Sequence, residues 1–197
     1  MIDNNSPFPI INVLDCKDID SIIDITYEEF KRNHMNEKKR PKKLLGKTMI
    51  IMFDNWRQYK ADCYWHFISL GEKEQFNVFP CGNNLSEHIC KKNCLTRKNI
   101  IKRYNGEVRI ICPFRAIRIN WIMDIINLAN EQDSRIKVWE KDRKLHLRYD
   151  YGDIDYVLIF SSKKNIYKLI SAFPVFYINK KETFDKDYND YKIKKSQ

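Results

Sequence analysis

A chain of 197 residues with 36 Lys and Arg against 26 Asp and Glu carries a formal charge of +10. That length suits one domain with an appendage and permits a sizeable core, and 43% hydrophobic with 13% aromatic residues excludes a disordered chain. No apolar run approaches the roughly 20 residues of a membrane span, Met1–Ser6 lacks the basic start of a signal peptide, and five glycines supply no phosphate-binding loop. A cytoplasmic protein without a membrane partner is therefore expected. The basic balance fits nucleic acid, anionic lipid or acidic proteins as partners, or simply the Lys- and Asn-rich composition of an AT-rich genome. Six cysteines in such a chain read as reduced thiols or metal ligands rather than a disulfide framework.

In chain order, Pro7 and Pro9 keep residues 1–16 irregular. A helix is expected over Asp18–Asn33, capped by Asp18, with Ile19, Ile22, Ile23, Thr26, Tyr27 and Phe30 on its apolar face. The basic stretch Asn36–Lys43 reads as a solvated linker or a phosphate-contacting segment. Thr48–Phe53 and Cys63–Leu70 read as the arms of an antiparallel hairpin, with His66 mid-strand beside Tyr64 and Ile68. Residues 71–111 lack a clear period, and Lys91–Arg109 holds seven basic residues and one acidic one.

A second helix is expected from Phe114 to about Glu131, with Pro113 in its first turn and Phe114, Ile117, Trp121, Ile125 and Leu128 as its stripe. Arg115 and Arg118 share a face near its N-terminus, where they read either as a phosphate clamp or as solvated flanks of that stripe. The period then changes to two, and Ile136–Glu140, Leu145–Tyr149, Tyr156–Phe160 and Tyr167–Ala172 read as a four-stranded meander. The residues after Asn179 are expected to fray. The fold class is α+β, two helices on a twisted antiparallel sheet built from the hairpin and the meander. The expected organisation is an N-terminal helical segment and linker over 1–43, a main domain over 44–191 with a cysteine-rich insert at about 80–95, and a basic tail over 192–197.

Three kinds of chemistry can be weighed. Cys81, His88, Cys90 and Cys94 form a possible tetrahedral zinc shell, in a spacing outside the common zinc patterns, against a reading as plain reduced cysteines. No motif supports a covalent acyl intermediate. Metal-free cleavage of RNA needs a base for the ribose 2′-OH, cations for the phosphate and an acid for the leaving oxygen. His66 and His146 could titrate, Arg115, Arg118 and Arg148 could hold the phosphate, and Ser171, Tyr151, Tyr177 and Lys168 are possible donors. A lone histidine in an apolar run can equally be a core residue.

The ordered set Gly46-Lys47, Trp65-His66-Phe67-Ile68-Ser69, Arg115-x-x-Arg118-Ile119-x-Trp121, Trp139-Glu140, Asp155-Tyr156-Val157-Leu158 and Tyr167-x-Leu169-Ile170-Ser171-Ala172-Phe173 resembles phage- and prophage-associated members of the barnase–EndoU–colicin–RelE ribonuclease superfamily over about 44–191. The resemblance implies a helix-on-sheet fold and a toxin-like endoribonuclease that uses no metal and leaves a 2′,3′-cyclic phosphate. It makes His66 the acid/base, puts Arg115 and Arg118 on the phosphate, and gives Ser171 and Lys168 supporting roles. Ser171 stands where the pattern has Thr, and Phe173 where it has Tyr, so one hydroxyl is lost. Lys42, Lys43, Lys47, Arg97, Lys98, Lys102 and Arg103 would hold the backbone of a tRNA or mRNA, and an antitoxin or immunity protein is an implied partner. The alternative is a non-enzymatic nucleic-acid- or partner-binding module with a zinc-held loop.

Overall fold

A computed structural model describes residues 7–71, 88–90, 99–152 and 154–196. The fold is α+β, and the chain separates into two compact units, Met1–Lys39 with Met52–Trp121 and Arg40–Ile51 with Ile122–Gln197. Residues 1–39 thus cluster with a later stretch of chain rather than standing apart. No helix among the described residues is long and apolar enough to cross a membrane.

In the first unit, Asp18 accepts a hydrogen bond from Ser21 N at 2.9 Å and caps helix α1, Ile19–Phe30. Its buried face is the expected one, Ile19, Ile22, Ile23, Thr26, Tyr27 and Phe30, and the chain continues as a π-helical turn, Lys31–Met35. In unit 2, strands β1, Lys43–Leu44, and β2, Lys47–Ile50, form a small antiparallel pair. The chain then returns to unit 1 as a tight hairpin of β3, Trp56–Arg57, and β4, Lys60–Ala61.

The second arm expected over Cys63–Leu70 is a helix followed by a short strand: α2, Asp62–Phe67, then β5, Ser69–Gly71. Burial shows why. Tyr64, Trp65 and Phe67 are buried while Cys63 and His66, three apart, are only half-buried, which is helical spacing. The Tyr64 hydroxyl anchors the turn on α1, donating to Ile23 O at 2.9 Å and meeting Thr26 Oγ1 at 2.8 Å, while its ring packs against Tyr27 and Phe30. An aromatic run with strand propensity is overridden by that tertiary anchor. β5 pairs with β7, Val108–Ile111, which pairs with β6, Ile100–Lys102.

The expected Phe114–Glu131 helix is broken. A short α3, Pro113–Ala116, is followed by turns and then α4, Trp121–Asn130. The physical reason lies in the N-terminal segment: Ile11 N donates to Ile117 O at 3.0 Å, taking the acceptor that the next helical turn needs, and Trp121 N bonds Arg118 O instead. Trp121 Nε1 is meanwhile turned to Pro9 O at 3.2 Å. A foreign donor inserted in the ladder is a sufficient cause for such a break.

In the second unit the meander is as expected: β8, Ile136–Lys141, β9, Lys144–Tyr151, β10, Ile154–Lys163, and β11, Ile166–Pro174. The six-stranded sheet has order β1-β2-β11-β10-β9-β8 and is mixed rather than antiparallel, because β2 joins β11 in parallel. Register aligns Trp139, His146, Ile159 and Ser171 in one row and Lys137, Arg148, Val157 and Phe173 in the next, on one face. The pairing slips at Ile170, which opposes no residue of β10 and keeps Ser171 opposite Ile159.

That face is covered by α5, Ile178–Lys195, where fraying was expected. Phe184 packs into Trp139 and Val157, with Tyr188 and Tyr191 beside it. Asp185 accepts from Arg148 at 2.9 Å and Lys137 at 3.2 Å, and Asp187 from Lys141 at 2.6 Å. The spacing of Phe184, Tyr188 and Tyr191 was the missed helical cue. Phe184→Ala should lower stability by about 3 kcal/mol, read as a shifted denaturant midpoint, and speed hydrogen exchange across residues 178–195 more than across β9 and β10.

Candidate functional site

His66 lies half-buried in the last turn of α2, four residues after Asp62. Its neighbourhood is built by three elements of unit 1. Ser69, at the start of β5, presents a carbonyl that accepts from Arg109 Nη2 at 2.8 Å and from Arg115 Nη1 at 2.6 Å. One backbone oxygen therefore holds two guanidiniums, one from β7 and one from α3. Ser69 Oγ accepts from Arg109 Nε at 2.8 Å. Arg109 Nη1 then reaches Glu107 Oε1 at 2.6 Å, Glu107 Oε2 accepts from Arg103 at 2.8 Å, and Arg103 reaches Asp62 Oδ2 at 2.6 Å. The chain of pairs closes on the helix that carries the histidine.

These charges act on the imidazole. Burial, then Arg109 and Arg103, with Arg115 adding and Glu107 opposing, push the His66 pKa from the usual 6.5 down to about 3. His66 is consequently neutral at physiological pH. Its Nδ1 is sealed from solvent with no hydrogen-bond partner among the described residues. A neutral imidazole in a net positive field can accept a proton and sits where an anion is favoured.

The expected site residues fall as follows. His66 and Arg115 share this cluster. Arg118 is buried in the same unit but turned elsewhere, donating to Phe114 O at 3.2 Å, with its guanidinium 3.5 Å from the Phe114 ring centroid and 5.0 Å from that of Trp121. Neither arginine is the solvent-facing clamp that a continuous helix would present, because the helix is broken between them. Ser171 and Lys168 belong to unit 2, Ser171 half-buried at the end of the Trp139–His146–Ile159 row and Lys168 exposed on β11. His146 is buried, stacked on Trp139 at 4.8 Å and 8°. Arg148 is fully buried, paired through Nε and Nη2 with both oxygens of Asp155 at 2.7 and 2.6 Å.

Among the expected backbone contacts, Lys42, Lys43 and Lys102 are exposed, whereas Arg103 is engaged by Asp62 and Glu107. Lys47 lies over the Tyr167 ring at 4.6 Å and 4.0 Å from Glu140. Arg97 and Lys98 lie outside the described residues, as do Cys81 and Cys94 of the expected zinc shell. Of the other two, His88 is exposed with Nε2 3.1 Å from Cys16 O, which as a donor leaves Nδ1 to serve a metal. Cys90 is buried; burial, with Cys90 adding, pushes the Cys112 thiol up to about 11.

The residues missed are Arg109, Glu107, Asp62 and Ser69. A cue existed in Glu107-x-Arg109, since an arginine inside the otherwise apolar β7 must find acceptors if buried. Comparison of the chain with protein-family models, with curated proteins and with solved structures gives no match.

The depressed pKa has a sign in stability. Below pH 6.5 the unfolded chain takes up a proton at His66 that the folded chain refuses until about pH 3, so stability falls as pH falls through that window. Measured by urea unfolding, His66→Gln should gain on wild type between pH 7 and pH 5 by about 1–2 kcal/mol. An unchanged difference between the two proteins across that range would mean that the imidazole is not held neutral.

Proposed function

We propose that unit 1 carries a metal-independent endoribonuclease site in which His66 takes the proton of a ribose 2′-OH. The observation that supports this reading is a half-buried imidazole in the field of the Arg109 and Arg115 guanidiniums that Ser69 O holds together. In the step, the 2′-oxygen bonds to the adjacent phosphorus, its proton passes to His66 Nε2, the bond from phosphorus to the 5′-oxygen breaks, and that oxygen takes a proton from solvent. The products are a 2′,3′-cyclic phosphate and a 5′-hydroxyl. Buried Arg109 and Arg115 act on the developing phosphate charge through their field, which is strong where water is excluded. Ser171 and Lys168 are outside this reading. The role implied by the resemblance is that of a toxin or phage-conflict effector restrained by an antitoxin or immunity protein.

Incubation of the protein with tRNA or total RNA in EDTA should yield fragments with 2′,3′-cyclic ends, and His66→Ala should lower the rate at least about 100-fold. Because the free-enzyme imidazole stays neutral down to about pH 3, kcat/KM should not fall tenfold per pH unit below 6.5, as it would for an ordinary histidine base. Folded wild type that cleaves no RNA, or His66→Ala that cleaves as fast, would sink the reading. Salt-dependent binding with no cleavage would leave a nucleic-acid-binding module in its place.

A further inference from the structure

The turn joining β3 to β4 is two residues long, Gln58 and Tyr59, between the paired Arg57 and Lys60. Both have positive φ, 48° and 58°. Such a turn favours Asn-Gly, and a glutamine followed by a tyrosine is strained there. The strain presents an aromatic ring to water: Tyr59 is 96% exposed, and Trp56 on the same hairpin 50%. Neither ring serves as core.

The hairpin itself is firmly placed, and through its main chain. Arg57 O accepts from Trp65 Nε1 at 2.8 Å, Ala61 N donates to Tyr27 Oη at 3.1 Å, and Asp62 N donates to Asn55 O at 2.8 Å. Asp62 also ties down a second turn, its Oδ1 accepting from Tyr104 N at 2.8 Å. Tyr104 is 67% exposed. Both turns thus meet at the residue that opens α2, one helical turn before His66. Arg57 and Lys102 are exposed on the same two turns, and Arg57 makes no ion pair among the described residues.

Exposed rings on rigid turns, interleaved with cations, are the pattern of surfaces that stack unpaired nucleic-acid bases, since every base offers a π-face and its phosphate a charge. We propose that the Trp56–Tyr59 hairpin and the Tyr104 turn form a stacking platform for single-stranded RNA beside the His66 cluster. The proposal rests on the ribonuclease reading and names its substrate as unpaired RNA. A duplex keeps its bases stacked on one another and gives the platform nothing to hold.

The probe is a short oligouridine with 2′-fluoro substitution, which removes the nucleophile and so separates binding from cleavage. Wild type should bind the single strand and not its duplex with oligoadenosine. Tyr59→Ala and Trp56→Ala should each weaken binding by about 5- to 150-fold, with Tyr59→Phe retaining it, while Arg57→Gln should lower the salt slope by about 0.7. The double change Gln58→Asn with Tyr59→Gly relaxes the turn: it should raise Tm by about 2–4 °C and still lose binding. A relaxed variant that binds as wild type does, a duplex bound as tightly as the single strand, or a wild type that binds neither would overturn the platform. Cleavage of natural RNA is scored separately. Binding without cleavage leaves the platform standing and removes the ribonuclease, whereas cleavage with unaltered affinity in the aromatic variants does the reverse.

Discussion

A buried guanidinium carries five N–H donors and a charge that cannot be shed, so each one dictates what surrounds it. Arg109, Arg115, Arg118 and Arg148 are all buried here, and the two units meet that constraint differently. In unit 2, Arg148 is met by carboxylates: Asp155 on two nitrogens, Asp185 on a third and Asp150 at 3.6 Å, with Lys137 and Lys181 joining the same aspartates. Charges of both signs interlock, and Asp185 comes from α5, so the pairing docks that helix on the sheet. This is a structural solution. It explains why His146, one row away, is stacked and covered instead of poised.

Unit 1 meets the constraint with a shared carbonyl and, for Arg109, the Glu107 carboxylate. Ser69 O is a dipole without a full charge, and it accepts from two guanidiniums at once. Burial comes first in lowering the proton affinity of His66, and the charges of Arg109, Arg103 and Arg115, opposed by Glu107, add to it. Strain and unsatisfied polarity both occur in this unit: Nδ1 of His66 lacks a partner among the described residues, and Gln58 and Tyr59 hold left-handed backbone angles. Such features persist in folded proteins where surrounding structure over-determines them, and they are enriched where ligands bind.

Much of the fold was legible because local pattern and tertiary outcome agree there. Asp18 and the stripe through Phe30 announce α1, and alternation with polar turns announces β8 to β11. The failures share a cause in contacts distant in sequence. Nothing between Asp62 and Phe67 tells that the Tyr64 hydroxyl will find Ile23 and Thr26, and the Phe114–Leu128 stripe is unbroken in sequence although Ile11 takes Ile117 O. The same holds for the candidate site. His66 and Arg115 were visible as a pair of residue types, but a strand at His66 and a continuous helix at Arg115 gave them the wrong neighbours. Arg109 and Glu107 enter only once β5 and β7 are paired.

A base with so low a proton affinity is weak in the free protein, and on the proposed reading the substrate corrects that. A phosphate beside His66 offsets the field of Arg103, Arg109 and Arg115, so proton affinity rises as the anion binds. Linkage requires the converse: taking up the 2′-OH proton tightens the hold on the phosphate by the same factor. The gain is then largest as the proton arrives and negative charge builds on the equatorial oxygens, which is differential binding of the transition state. A histidine at its ordinary pKa would be half-charged near neutrality before RNA arrived and would offer less of this coupling. The net positive field around His66 is therefore compatible with base chemistry on a polyanion, and poorly suited to a neutral substrate.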